Sequence, residues 1–438
     1  MRRTSVLAAI AGLVLSASMT CKSAHAAEDP LLDVNDVSFL WPIPANASEL
    51  NDLISLASPA GAGEVLPKEV FDALITEAKT VSVNGQNIGF PTDVADQRKV
   101  WKVVGIRVNP SALGTNPQVL AQGGTVPGVR LIVQPVTMNG STVVPHDITA
   151  HVVFNYITNA QPPFQPDKTA FKAIVKDLQE IKTFLQEANV QTSGKLNVHP
   201  GLKQRIPGLN DRLNALVKTH LVRQRLQVIS FMGLANGAPE PWIFFKVNVK
   251  PDNTLVRQAV SGHFAVPGPK SQGFVFGSQM KLVPEPVIDV QAATQGFGIS
   301  TAPLFASNVT TKLDDPLLAG ATGTPAQWKV RDIADLIANP LIHNTANTDC
   351  ISCHTESTRR KAVSGLTSQM GIAFKIPAGV SDVDLSLLSG DKWNVRNFGW
   401  GLNFFNGTAF QPTISQRAAN EAAESAAMIN RDYLQAGP

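Results

Sequence analysis

The chain has 438 residues, with 37 basic against 34 acidic side chains and only three cysteines. This near-neutral charge, without a basic stripe, excludes an obvious nucleic-acid-binding surface, and three cysteines exclude a fold held by several disulfides. No segment after the N-terminus is apolar over a length that predicts a membrane span.

Residues 1–26 have the pattern of a secretory signal peptide. Two arginines follow the first Met, an apolar run extends from Val6 to Leu15, and an A-x-A cleavage site ends at Ala26. Cleavage there predicts a periplasmic or secreted protein of about 410 residues, enough for two or three domains. A lipoprotein processed at Cys21 is the alternative, although the residues before this cysteine fit that signal poorly.

The next part of the chain predicts a helical segment, residues 27–97, followed by a β-rich module with a helical insertion, residues 98–330. A short capped helix is predicted near 49–56, and apolar residues at helical spacing predict longer helices over 68–80, 167–188 and 209–224. Runs rich in β-branched residues predict strands at 101–108, 129–136, 148–157, 226–234 and 242–252. This order favours a sandwich or a barrel with an inserted helical hairpin.

A stretch rich in Gly, Ala, Pro and Thr, residues 316–328, predicts a linker before a third domain, residues 331–438. Two of the three cysteines lie in this domain as C-x-x-C-H: Cys350 and Cys353, directly followed by His354. This spacing attaches a c-type haem, because two thiols join the vinyl groups of the porphyrin and the adjacent imidazole binds its iron. The motif therefore predicts one covalent haem c, with His354 as the proximal iron ligand.

The motif resembles that of the cytochrome c family, and the final helix predicted over 414–434, which closes with Tyr433, is similar to the last helix of that family. The resemblance covers at most a quarter of the chain and implies a small, mainly α haem domain. Residues 27–330, with their opening DVSFLWPIP, are similar only to exported bacterial proteins without an assigned activity. The expected fold is therefore multi-domain α+β, with a β-rich N-terminal module followed by a cytochrome c-like domain.

The sixth iron ligand decides what the iron can do. A methionine or a second histidine closes the iron for electron transfer, whereas an open site permits oxygen or peroxide chemistry. Met370 is the first candidate, followed by His343 and Met428, and an open iron is the fourth possibility. In the cytochrome c family the ligand methionine usually lies farther downstream than Met370.

Other residues near the motif have two readings. The basic run 359–361 either meets haem propionates or forms a solvated helix face, and the aromatic residues between Trp393 and Phe405 either wall the porphyrin or fill a core. His146 and His151 are five apart on a predicted strand, so they point to opposite faces and are not expected to form a joint metal site.

These patterns lead to an expected function: an exported monohaem c-type cytochrome that transfers one electron at a time to or from a redox partner protein. One alternative is a haem enzyme or ligand sensor with an open, peroxidase-like iron. Another is a haem-free binding protein in which the C-x-x-C pair forms a disulfide. A zinc site is disfavoured because it needs four ligands, and no hydrolase, metalloprotease or nucleotide-binding motif is present.

Overall fold

The structure is a computed structural model that describes residues 31–61, 63–80, 82–83, 86–87, 92–111, 126–158, 165–234, 242–258, 271–274, 325–341, 350–366, 374, 383–389, 396–403 and 409–435. The predicted signal peptide lies outside the described residues, as does the part of the predicted linker before Pro325.

An antiparallel sheet organises the described part of the chain. Nine of its strands join in the order β1-β6-β7-β9-β10-β11-β12, with β8 beside β7 and β13 beside β11. These strands are β1 (Ser38–Leu40), β6 (Trp101–Asn109), β7 (Gly128–Asn139), β8 (Thr142–Pro145), β9 (Ile148–Asn155), β10 (Leu226–Leu234), β11 (Trp242–Val249), β12 (Leu255–Gln258) and β13 (Ser271–Phe274). Three two-stranded hairpins complete the described strands: β2 (Pro59–Ala60) with β3 (Gly63–Glu64), β4 (Ser82–Val83) with β5 (Gln86–Asn87), and β14 (Phe398–Asn403) with β15 (Ala409–Ile414).

Helices flank the sheet. They are α1 (Val34–Val37), α2 (Ala47–Asn51), α3 (Lys68–Lys79), α4 (Thr92–Ala95), α5 (Lys168–Glu187), α6 (Pro200–Lys203), α7 (Leu209–His220), α8 (Pro325–Ala338), α9 (Cys350–Ala362) and α10 (Gln416–Ile429). Short 3-10 turns occupy Arg98–Val100, Arg223–Arg225 and Leu385–Leu387, and a π-helical turn, Asn430–Leu434, extends α10. No helix within the described ranges is both long and apolar enough to cross a membrane.

The two faces of the sheet differ in character. Because successive residues of a strand point to opposite faces, the fully buried Ala150, Val152 and Phe154 of β9 share one face. The neighbouring strands continue this apolar face with Phe231, whose ring stacks on that of Phe245 at 4.9 Å between centroids. The other face of β9 carries its polar side chains and is described with the candidate site.

Most predicted elements are confirmed within a few residues. The helix predicted over 167–188 is α5, whose cap Asp167 accepts a hydrogen bond from the Ala170 amide at 3.0 Å. The helix predicted over 209–224 ends earlier, at His220, and α2 ends at Asn51 rather than near 56. The described strands do not form the expected sandwich or barrel, because most of them join in one sheet with two ends. Alternation in a sequence identifies strands but does not determine whether the sheet they form closes on itself.

The C-terminal segment departs from the mainly α expectation and packs on the sheet. Its aromatic stretch forms the hairpin β14–β15, in which the buried Trp400 donates its indole N–H to the Trp41 carbonyl at 2.8 Å. The Leu32 amide reaches the side chain of Asn430 at 2.8 Å, which ties the two ends of the described chain together. All described residues fall in one compact unit that begins at Leu31. Contacts within this unit cross the boundaries predicted at 97/98 and 330/331, and the division into three domains stays a prediction.

Candidate functional site

The C-x-x-C-H motif opens helix α9. Cys350 is the first residue of the helix, and Cys353 and His354 follow three and four positions later. Residues at this spacing share one face of an α-helix, so both sulfurs and the imidazole lie together at the helix start. All three residues are half-buried, and no disulfide joins the cysteines. The Asn397 amide donates a hydrogen bond to the Cys353 Sγ at 3.3 Å.

A polar row crosses the sheet face opposite the apolar one. His151 of β9 is in register with Ile132 of β7 on one side and Ser230 of β10 on the other, and Ser230 is in register with Lys246 of β11. Directly paired residues of antiparallel strands project from the same face. The side chains of His151, Ser230 and Lys246 therefore lie side by side on one surface.

Helix α9 lies over the β11 end of this row. The His354 ring contacts that of Phe244, with centroids 5.0 Å apart and planes tilted by 44°. Phe244 is two residues from Lys246 and therefore on the same face of β11. Burial lowers the pKa of Lys246, and electrostatic interaction with Cys350 partly opposes this shift. The start of α9 is thus set over the β11 end of the polar row, with the His354 ring in contact with Phe244 and Cys350 within electrostatic reach of Lys246.

His151 lies within electrostatic reach of the motif histidine. Burial lowers the pKa of His151 well below its ordinary value of 6.5, and the positive charges of Arg130, His354, Arg107 and Arg396 lower it further. Its imidazole is therefore neutral at pH 7, the form that binds metal ions. No hydrogen bond to the His151 ring is made by any residue that the structure describes.

Two of these arginines are buried within ion pairs. Arg107 bonds the Glu421 carboxylate at 2.9 Å and the Ala418 carbonyl at 3.1 Å. Arg396 bonds the Asp147 carboxylate at 3.2 Å. Burial lowers the pKa of each guanidinium to about 10, with the paired carboxylate opposing the shift. Both arginines stay charged at neutral pH, each beside its paired carboxylate.

The second thiol of the motif is held in its protonated form. Burial raises the pKa of the Cys353 thiol to about 11, and the positive charge of Arg417 offsets only part of this rise. Arg417 itself is bonded to the Glu421 carboxylate at 2.5 Å. Thiolate is the reactive form of cysteine, so Cys353 is not an activated nucleophile.

A buried charge cluster holds the motif helix against α8. Arg360 bonds Glu356 one turn earlier in α9 and the Asp335 carboxylate of α8 at 2.8 Å. Asp335 also bonds Arg331 at 3.0 Å. For Arg360 the solvated-face reading of the basic run 359–361 is wrong, because its guanidinium is buried and paired within the protein. The neighbouring Lys361 side chain is exposed.

The other sequence-predicted candidates divide into residues outside and residues inside the described ranges. Met370 and His343 lie outside the described residues, as do Trp393, Phe404 and Phe405. Met428 is half-buried on α10. Phe398 and Trp400 fill the core against the sheet, which fits the core reading of the aromatic stretch for these two residues.

His151 is the residue that sequence reasoning passed over. The prediction that His146 and His151 share a strand is wrong, because β9 begins at Ile148; the His146 ring is bonded to the Thr137 hydroxyl at 2.8 Å. One indication of its position was present in the sequence: in ITAHVVFN, strand alternation places this histidine on the less apolar face of the predicted strand. What lies opposite that face depends on packing between distant segments.

A search of the described residues finds no group of three or more His, Cys, Asp or Glu side chains arranged to hold a bare metal ion. In comparisons with protein-family models, curated proteins and solved structures, nothing matches this chain.

Proposed function

We propose that the protein is an exported monohaem c-type cytochrome that carries out one-electron transfer with a redox partner protein. The observation that carries this proposal is the C-x-x-C-H motif, with Cys350, Cys353 and His354 on one face at the start of α9. Residues 1–26 support the proposed export to the periplasm or beyond.

The residues around the motif fit a covalently bound haem. No disulfide joins the two cysteines, as attachment of both sulfurs to a haem requires. Bound haem supplies an iron that accepts and releases one electron. His354 would hold that iron from the α9 side, and Phe244, whose ring lies 5.0 Å from that of His354, provides an apolar contact beside it.

The charge pattern also suits a haem. Haem carries two propionates, which in proteins are stabilised by charge-assisted hydrogen bonds from basic side chains. Arg130 is half-buried on β7, directly opposite Arg107 in the register of the sheet. No residue in the described ranges forms an ion pair with the Arg130 side chain, so its guanidinium is available to a bound anion, whereas Arg107 is paired with Glu421.

Covalent haem attachment can be tested directly. The full chain would be expressed in a bacterial host with haem-attachment machinery, and the product examined by haem staining after denaturing electrophoresis and by its pyridine haemochrome spectrum. We expect a stained full-length band and a c-type spectrum for the wild type. The double variant Cys350→Ala/Cys353→Ala should lose the stain completely, because haem without thioether bonds dissociates on denaturation.

The third cysteine provides the matched control. Cys21→Ala should keep the haem stain, since this residue lies in the predicted signal peptide. A wild-type protein that is exported intact but carries no covalent haem would contradict the proposal. If its two thiols are then blocked until reduction, the C-x-x-C pair is a disulfide and the haem-free binding protein becomes the better reading.

A further inference from the structure

The sheet face under α9 offers the iron a second ligand. Three side chains on this face have a nitrogen or sulfur atom that can bind haem iron: His151, Lys246 and Met232, the last in register with Phe244. If the proposed haem is bound through His354, the side chain on the opposite side of the iron decides its coordination. The position of each side chain relative to α9 separates the three.

Lys246 and Met232 are each placed less well than His151. Lys246 lies two residues from Phe244 on β11, the strand that the His354 ring contacts, so it is on the His354 side of the row, whereas His151 is two strands away on β9. Met232 is only 5 % exposed and so presents less of its side chain than His151 does. His151 is half-buried instead and lies between Ile132 and Ser230 in the register of the sheet.

The neighbours of His151 also set it apart from other described histidines. The rings of His199 and His220 are each hydrogen-bonded within the protein, to the Leu202 amide and to the Asp177 carboxylate. The His151 ring makes no such bond to any described residue. Within the described chain, the His151 imidazole therefore has both nitrogens available to a metal ion.

We infer that His151 is the second axial ligand of the iron, so that His151 and His354 form a bis-histidine centre between the sheet and α9. This inference rests on the proposed function. It closes the iron to exogenous ligands, which favours electron transfer over the open-iron alternative. It also gives the β-rich module a direct part in the haem site, since β9 supplies one ligand and the C-terminal segment the other.

Spectroscopy of the holoprotein tests the inference. Near-infrared magnetic circular dichroism and electron paramagnetic resonance of the ferric wild type should report low-spin iron with two histidine ligands. His151→Ala should convert the ferric iron to high spin and let the reduced form bind carbon monoxide. His151→Met should stay low-spin with a raised reduction potential, because methionine ligation raises the potential of haem iron.

Two controls bracket these results. His146→Ala should leave the spectra unchanged, because the His146 ring nitrogen Nε2 is bonded to the Thr137 hydroxyl. Met232→Leu should also stay low-spin, and a switch to high spin in this variant would instead make Met232 the ligand and overturn the inference. The wild-type spectra decide between histidine, methionine and lysine even if a variant fails to fold.

The two proposals can fail separately. A haem-stained protein whose His151→Ala variant remains low-spin, or whose wild type is high-spin, refutes ligation by His151 and leaves the cytochrome proposal standing. A wild type without covalent haem refutes the proposed function, and the assignment of His151 falls with it.

Discussion

At the scale of single residues, the buried His199 makes the stability of the protein depend on pH. Its ring is fully buried, stacks on Phe39 at 4.7 Å between centroids, and caps α6 through the Leu202 amide. Burial lowers the pKa of His199 to about 3, whereas an unfolded histidine takes up a proton near pH 6.5. The unfolded state therefore binds more protons, and the free energy of unfolding falls as the pH drops from about 6.5 towards about 3.

His199→Asn should remove this pH dependence while keeping a good N-cap residue. We expect the wild type to lose up to about 1.4 kcal/mol more per pH unit than the variant between about pH 6 and 4.5. Urea unfolding at a series of pH values measures both slopes. Any constant change in stability caused by the substitution cancels, because only the two pH slopes are compared. Equal slopes of the unfolding free energy in the two proteins would argue against this role of His199.

At the scale of elements, the helix that carries the motif is anchored by charge rather than by a broad apolar stripe. Glu356 and Arg360 of α9 are buried with Asp335 of α8. In the folded state the pKa of Arg360 is raised, because its two carboxylate partners outweigh the cost of burial. Such a cluster stabilises little overall, but the loss of one partner leaves the others buried and uncompensated.

Arg360→Met should therefore destabilise the protein by about 3 to 5 kcal/mol, since Glu356 and Asp335 lose a shared cation. Urea unfolding followed by circular dichroism gives the change. Lys361→Met is the matched control, because this neighbouring side chain is exposed and its loss should change stability by less than about 0.5 kcal/mol. Equal effects of the two substitutions would show that the cluster does not hold α9 in place.

At the scale of the whole molecule, the C-terminal hairpin depends on close contact with the sheet. A Cβ atom at Gly105 of β6 would meet the Phe398 ring of β14 at 2.7 Å and the Phe39 carbonyl at 3.2 Å. Phe398 is itself only 1 % exposed and has little room to move. The absence of a side chain at Gly105 therefore lets the hairpin approach the middle of β6.

Gly105→Ala should push the hairpin away from the sheet and cost about 1 to 3 kcal/mol of stability, as overpacking does in other cores. Hydrogen exchange should show weaker protection in β14 and β15. Gly63→Ala serves as the control, because a Cβ atom there would meet nothing within 4 Å. Unchanged exchange in the hairpin of Gly105→Ala would rule out this close packing.

Local patterns in the sequence determined the elements and the chemistry of the motif. Helical spacing predicted the ends of α3 and α5 within a residue or two, because the buried face of an amphipathic helix requires apolar residues every three or four positions. Alternation placed the long strands for the same reason. The C-x-x-C-H spacing specifies two sulfurs and an imidazole on one helix face whatever surrounds them.

Only the tertiary structure decided what faces that motif. His151 lies about 200 positions before His354, and their proximity depends on the register of β9 within the sheet and on the packing of α9 over β11. Strand alternation gives the face of a histidine but not the segment that covers it, since contacts between distant segments are set by the packing of the whole core. The same reason explains why the hairpin β14–β15 was not expected within a mainly α segment.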